Sequence, residues 1–123
     1  MAKERIEVPD GKVYGPYSPG IAAGGMVWLA GQIAPEAGEG ITEQTTAALA
    51  KIDELLVVAG CTRNDVVFVQ VILDDLDDFA AMNDTYGEYF SGIDSPPARA
   101  AFETARLPRG AKVEIVAQAM RSD

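Results

Sequence analysis

The chain has 123 residues, a formal net charge of −9 and no histidine, and these properties narrow its organisation and its possible chemistry. A chain of this length favours one domain, so we expect a single domain over residues 1–123 that folds without a disulfide or a metal. The negative charge repels a phosphate backbone and disfavours nucleic-acid binding. The lack of histidine excludes Ser-His-Asp and Cys-His catalysis and His-ligated zinc, which leaves carboxylates, arginine, tyrosine, hydroxyls and water for any chemistry.

The sequence also predicts the cellular location of the protein. Its first residues, MAKERIEVPD, are charged and lack the apolar segment of a secretory signal. No apolar run approaches the roughly 20 residues that a membrane span needs. Cys61 is the one cysteine of the sequence, so no internal disulfide can form, and we interpret it as a small structural thiol. We therefore expect a cytoplasmic protein that does not bind a membrane.

The first half of the chain predicts three strands and a helix. RIEVPD is typical of a short strand, and the Gly- and Pro-rich segment 11–25 is typical of an irregular edge strand. MVWLAGQI predicts the next strand, which a loop follows. Residues 41–60 carry apolar side chains at three- and four-residue steps, which predicts an amphipathic helix with Gly60 as its C-terminal cap.

The second half predicts a strand, a helix and two more strands. DVVFVQVIL is rich in β-branched residues and predicts a strand. Residues 75–92 predict a helix whose leading aspartates cap its start. PARAAFETA and AKVEIVAQAM predict the last two strands, which a short turn joins as antiparallel neighbours. The inner face of the second helix is expected to hold Phe79, Met82, Tyr86, Tyr89 and Phe90.

This order of elements predicts an α+β fold with two helices packed on one face of the sheet. The strand VVFVQVIL is apolar at both of its alternating sets of positions, and a strand of this kind needs both faces covered. Alternation places Val66, Phe68 and Ile72 in one of these sets. Two helices cover only one face, so we expect another subunit to cover the second, which makes the protein a homo-oligomer.

Single charges interrupt the last two predicted strands. Arg99 shares a face with Ala101, and Glu114 lies on the polar face of the following strand. If the two strands are neighbours with coincident polar faces, the two side chains face the same space. The pair is then either a structural ion pair or a site where the arginine holds a small carboxylate ligand, and the residues favour neither.

The motifs GPYSPGI, LAGQI, PPARAAFETARLP and VEIVAQA occur in one order over nearly the whole chain. In these motifs the chain resembles the RidA family of reactive intermediate deaminases, whose members are also labelled YjgF or endoribonuclease L-PSP. The resemblance implies a chorismate-mutase-like mixed sheet with two helices on one face, assembled as a homotrimer with clefts between subunits. It also implies cofactor-free hydrolysis of 2-imino acids and their enamine tautomers, such as 2-aminoacrylate, 2-iminopropanoate and 2-iminobutanoate, to 2-oxo acids and ammonia.

The resemblance assigns roles to five residues of this chain. Arg99 of the PAR motif is expected to clamp the substrate carboxylate, and Glu114 of VEI to position or activate the attacking water. Tyr17 of GPYS is expected to line the cleft, Asn83 to add a polar group, and the Gly31 backbone to approach the ligand. No metal or cofactor is implied.

The chain departs from the family pattern at Ala30, where many members have serine, and at Ala100–Ala101, where many have Ser-Cys. Ala30 and Ala101 are expected to make the substrate pocket more apolar, which bears on substrate range and rate. They also motivate an alternative, a non-catalytic module of the same family that binds small carboxylates or acts like a chaperone. A ribonuclease or translation-inhibitor role is the least favoured function, because of the charge and the missing histidine.

Overall fold

A computed structural model describes residues 2–122, which form a six-stranded mixed sheet and two α-helices. The strand order is β1-β2-β3-β6-β4-β5, in which β4 and β5 run parallel and the other neighbours antiparallel. The predicted α+β fold with a mixed sheet is confirmed. The elements are β1 (Glu4–Ile6), β2 (Gly20–Ala23), β3 (Met26–Gln32), α1 (Ile41–Ala59), β4 (Val66–Leu73), α2 (Phe79–Tyr89), β5 (Ala98–Glu103) and β6 (Val113–Met120).

Both helices form where the apolar spacing predicts them. The apolar stripe of α1 is buried, and the helix ends at Gly60, whose φ of 80° is the left-handed conformation of a glycine cap. Met82 and Tyr86 of α2 and the next residue after the helix, Phe90, are buried, whereas Phe79 stays 37% exposed. The predicted cap before α2 is also present, since the Asp75 carboxylate accepts a hydrogen bond from the backbone N–H of the turn that leads into the helix.

The core lies between the helices and one face of the sheet. The inward residues of β4 and β6 are buried, whereas alternate residues on the other face are half-buried or exposed. Strict alternation groups Val66 with Phe68, and this prediction is wrong. A register shift between Val66 and Phe68 turns Val66 into the core, where it is 3% exposed.

The open face of the sheet is apolar at several exposed positions. Trp28 is 42% exposed, Phe102 42% and Met120 55%. The register places Trp28 beside Gln118, and Met120 beside Met26, on this face. Large apolar side chains on one continuous sheet face are typical of a surface that another protein chain covers.

The last two strands are not neighbours, and the prediction of an antiparallel hairpin is wrong. β4 lies between them, pairing in parallel with β5 and antiparallel with β6. The chain crosses the end of β4 through residues 104–112, where Leu73 accepts a backbone hydrogen bond from Thr104, and Lys112 accepts one from Asp74. This crossing places β4, the most apolar strand, inside the sheet with a partner on each edge.

No helix within residues 2–122 combines the length and the apolar character that a membrane crossing requires.

Two glycine-to-alanine substitutions should change stability in opposite directions. A methyl group at Gly60 or Gly87 would meet no atom within 4 Å, so only backbone conformation decides the outcome. Because Gly60 has a positive φ, Gly60→Ala should lower the free energy of unfolding by about 1 kcal/mol. Gly87 lies inside α2, so Gly87→Ala should raise it by roughly 0.5–1 kcal/mol.

Urea unfolding at a fixed protomer concentration measures both effects, with the wild-type protein as reference. Stabilisation by Gly60→Ala would contradict the left-handed cap.

Candidate active site

Glu114 lies next to an irregularity in β3. Between Leu29 and Gln32 the register to β6 shifts by one residue, so Ala30 and Gly31 form a β-bulge. The Glu114 carboxylate lies directly over Gly31. A Cβ atom at Gly31 would stand 2.7 Å from Cδ and 2.9 Å from Cγ of Glu114, and closer still to Oε2. The bulge and the missing side chain therefore make the space that the glutamate occupies.

The carboxylate of Glu114 has no compensating partner in the described part of the protomer. No hydrogen bond or salt bridge to Glu114 occurs among residues 2–122. The side chain is half-buried, and this burial raises the pKa of Glu114 above its ordinary value. A carboxylate that is partly desolvated and unpaired is suited to take a proton from a water molecule.

Tyr17 belongs to the loop between β1 and β2, and this loop is attached to the bulge. The Pro19 carbonyl accepts a hydrogen bond of 2.8 Å from the Ala30 backbone N–H. The Tyr17 side chain is 45% exposed, and its hydroxyl accepts a hydrogen bond of 3.4 Å from the Tyr14 backbone N–H. Tyr17 therefore stands near one end of β3, close in the chain to the residue that bonds Ala30.

Arg99 lies in a second cluster, on the edge strand β5. Its in-register partner on β4 is the core residue Val69, so its side chain is on the face that the helices cover. There an Arg99 N–H donates a hydrogen bond of 2.8 Å to Asn83 Oδ1 of α2. The guanidinium carbon lies 4.7 Å from the centroid of the Tyr86 ring and 5.6 Å from that of Phe79.

Ala101 follows Arg99 by two positions and shares its face of β5. Its in-register partner is the core residue Val71, and Ala101 itself is half-buried against the core. Ala101 and Asn83 thus lie on the side of Arg99, whereas Glu114 lies over Gly31, and the Tyr17 loop is hydrogen-bonded to the adjacent Ala30.

Arg99 and Glu114 do not face the same space within one protomer, which corrects the sequence prediction. The partner of Glu114 on β4 is Ile72, which lies on the open face of the sheet, opposite to Val69. The two charged side chains are separated by β4 and by the sheet itself. The physical reason is the strand order, because β5 and β6 flank β4 instead of pairing with each other.

This geometry excludes an ion pair between Arg99 and Glu114 inside the protomer. No salt bridge to Arg99 occurs among the residues that the structure describes. Two surface cavities of about 500 and 620 Å³ share Arg109 and Gly110 in their lining, and neither Arg99 nor Glu114 lines them. Each charged residue is therefore presented on a separate surface of the protomer.

Comparisons with known proteins identify the family. A sequence profile described as Endoribonuclease L-PSP matches residues 9–121. A RutC family protein of Pyrococcus abyssi is 45% identical, over 98% of this chain and 99% of its own length. The chain belongs to the Endoribonuclease L-PSP family. The resemblance seen in the motifs is thereby confirmed, since RidA proteins carry the same label.

Two further proteins to which the chain is similar bear on function. A mouse protein named 2-iminobutanoate/2-iminopropanoate deaminase is 41% identical, over 87% of this chain and 82% of its own length. The crystal structure of E. coli TdcF with bound serine superposes with a TM-score of 0.88 at 34% identity, covering 97% of this chain and 99% of TdcF.

The sequence did not predict that aromatic side chains surround Arg99. Tyr86 and Phe79 were expected only as apolar residues on the inner face of α2. Together with Asn83 they occur at steps of four and three residues, which puts all three on one side of the helix. That spacing was visible in the sequence, but the strand that faces it was not.

The contact between Gly31 and Glu114 can be tested by stability alone. Gly31→Ala should destabilise the wild-type chain by about 1–3 kcal/mol, because the new methyl group overlaps the Glu114 side chain. In a Glu114→Ala background the same substitution should be nearly neutral. Urea unfolding of the four chains of this double-mutant cycle gives the coupling. An equal cost in both backgrounds would show that the two side chains do not meet.

Proposed function

We propose that the chain is a cofactor-free deaminase that hydrolyses small 2-imino acids and their enamine tautomers to 2-oxo acids and ammonia. The observation that carries this proposal is the pair of unpaired charged groups, Arg99 and Glu114, each set beside other residues of the family motifs. The name of the mouse relative supports the reaction. The serine bound to TdcF supports a site in this family that accepts a small carboxylate-bearing molecule.

The active site that we propose is shared by two protomers of a homotrimer. Because Arg99 and Glu114 lie on opposite faces of the sheet, a small substrate cannot touch both within one chain. A neighbouring subunit can bring its Glu114, Gly31 and Tyr17 loop to the Arg99 of the first. The exposed apolar side chains of the open face support such an association, since burying them stabilises an oligomer.

In this site Arg99 holds the substrate and Glu114 directs the water. The unpaired N–H groups of Arg99 grip the substrate carboxylate in a fork of two hydrogen bonds. The ionised Glu114 takes a proton from a water molecule, whose oxygen bonds to the electrophilic iminium carbon. The proton on Glu114 then passes to the amine nitrogen of this carbinolamine. The regenerated Glu114 carboxylate then takes the hydroxyl proton as the C–N bond breaks, which leaves the 2-oxo acid, and this proton passes to the departing ammonia, which leaves as ammonium.

A non-catalytic carboxylate-binding module is the competing function. It is favoured by Ala30 and Ala101, which place methyl groups where many relatives carry a hydroxyl and a thiol. Such a module would use the same Arg99 to hold a 2-oxo acid without turning over an imine. A ribonuclease is disfavoured by the charge of −9, which repels RNA.

The proposal is tested by complementation between two inactive variants. A serine or threonine dehydratase generates the imine, semicarbazide traps what escapes hydrolysis, and the wild-type protein should suppress trapping. Arg99→Ala and Glu114→Ala should each lose at least about 100-fold in kcat/KM, because each removes a group that acts in the transition state. Trimers reassembled from an equal mixture should regain about a quarter of the wild-type activity, since each mixed ring holds one intact site.

The matched control is a mixture of Arg99→Ala with Arg99→Gln, in which no site can be complete. No recovery in the mixture of Arg99→Ala with Glu114→Ala would contradict a shared site. Binding of 2-oxobutanoate by a wild-type protein that does not suppress trapping would favour the binding module instead.

The pH dependence of the reaction should report Glu114. The carboxylate is the active form, so kcat/KM should fall as the pH decreases through the pKa of Glu114. Burial raises that pKa, so the acid limb should lie above the ordinary value of 4.5. The limb should persist in Glu39→Gln, an exposed control, and should vanish from the residual activity of Glu114→Gln. A limb that is unchanged in Glu114→Gln would assign the proton transfer to another group.

A further inference from the structure

We infer that Tyr86 is a positioning residue for Arg99, which presents the guanidinium to the substrate carboxylate through the face of its aromatic ring. This inference rests on the proposed function. The guanidinium carbon of Arg99 lies 4.7 Å from the centroid of the Tyr86 ring, which is within the range of a cation–π contact.

The contacts of Arg99 come from one stripe of α2. Phe79, Asn83 and Tyr86 follow one another at steps of four and three residues, so they lie on the same side of the helix. The guanidinium lies over both rings, and Asn83 Oδ1 accepts a hydrogen bond from one of its N–H groups. A guanidinium carries five N–H donors in a planar fork, so most of its donors stay available to a carboxylate.

Arg99 needs such support because of its place in the fold. It lies on the edge strand β5, and no carboxylate within residues 2–122 fixes its charge. The side chain of an arginine loses much of its rotamer entropy when it is fixed in one conformation. A ring that restricts the plane of the guanidinium before the substrate arrives removes part of this cost from binding.

Tyr86 is rigid enough to do this. It is 6% exposed, and its ring packs against Phe90 with a centroid distance of 4.8 Å. Its hydroxyl is buried and has no hydrogen-bond partner among the described residues. Burial raises the pKa of Tyr86 to about 12, so the phenol stays neutral at physiological pH. The ring face, and not the hydroxyl, is therefore what Tyr86 offers to Arg99.

The test compares three substitutions on α2. Tyr86→Leu removes the ring face and should raise KM for the imine and Kd for 2-oxobutanoate about tenfold, with kcat nearly unchanged. Tyr86→Phe keeps the ring, so its KM for the imine and its Kd for 2-oxobutanoate should equal those of the wild-type protein. Tyr89→Leu is the matched control, because the Tyr89 ring lies against Phe90 and Arg63 and does not contact Arg99. It should lower stability but leave KM and Kd unchanged.

A double-mutant cycle separates positioning from a merely structural role. In an Arg99→Gln background, Tyr86→Leu should cause no further change in Kd, because its effect passes through the arginine. Tyr86→Met, which fills a similar volume without a ring face, should repeat the result if Tyr86→Leu does not fold.

Three results would overturn the inference: an unchanged Kd in folded Tyr86→Leu or Tyr86→Met, an equal loss in Tyr86→Phe, or an undiminished effect in the Arg99→Gln background. If Arg99→Gln itself changes neither turnover nor Kd, the proposed function fails instead.

Discussion

The position of β4 between β5 and β6 is the constraint on which the rest of the structure depends. β4 is the most apolar strand, with Val69, Val71 and Leu73 buried under the helices. Inside the sheet both edges of its backbone are hydrogen-bonded, which a buried strand requires. To provide this, the chain runs along β5 parallel to β4 and then crosses over to return as β6. The cost of this arrangement is that two charged motif residues, Arg99 and Glu114, end on opposite faces.

The separation explains why neither charge is neutralised within the protomer. An ion pair between them would make Arg99 a structural residue and leave no donors for a ligand. Instead, Arg99 rests on aromatic rings and one amide oxygen, and Glu114 rests over a glycine. Each environment shields its charged group partly from water but does not provide a group of opposite charge. Under the proposed function, Arg99 receives the substrate carboxylate, and Glu114 takes a proton from the water that attacks the iminium carbon.

The elements of the fold could be predicted from the sequence, but the neighbours of each strand could not. Apolar spacing locates α1 and α2, and Gly60 marks a helix end because only one backbone conformation closes that cap well. Alternation within a strand gives the relative orientation of its own side chains. It does not give the partner, so the residues of β5 and β6 could be assigned to faces only after β4 was known to separate them.

For a related reason, the sequence did not predict the local irregularities within the strands. The bulge at Ala30 and Gly31 and the shift after Val66 each add one residue to a strand, which reverses the faces beyond that point. No composition signal marks Val66 as such a position. Gly31 was expected near the ligand from the family motif alone, and its contact with Glu114 supplies the physical reason for a glycine there.

The same geometry bears on Ala30 and Ala101, two of the positions at which the chain departs from the family pattern. Ala101 lies on the same face of β5 as Arg99, and Ala30 precedes the Gly31 that contacts Glu114, so each half of the proposed site includes one position at which the chain departs from the family pattern. Under the proposed function, neither departure removes Arg99, which holds the carboxylate, or Glu114, which takes the proton from water. The hydrolysis of an electrophilic imine needs little beyond these two groups and a bound water. Under the proposed function, we expect the two methyl groups to make the pocket more apolar, which would favour an apolar side chain on the imino acid over a polar one.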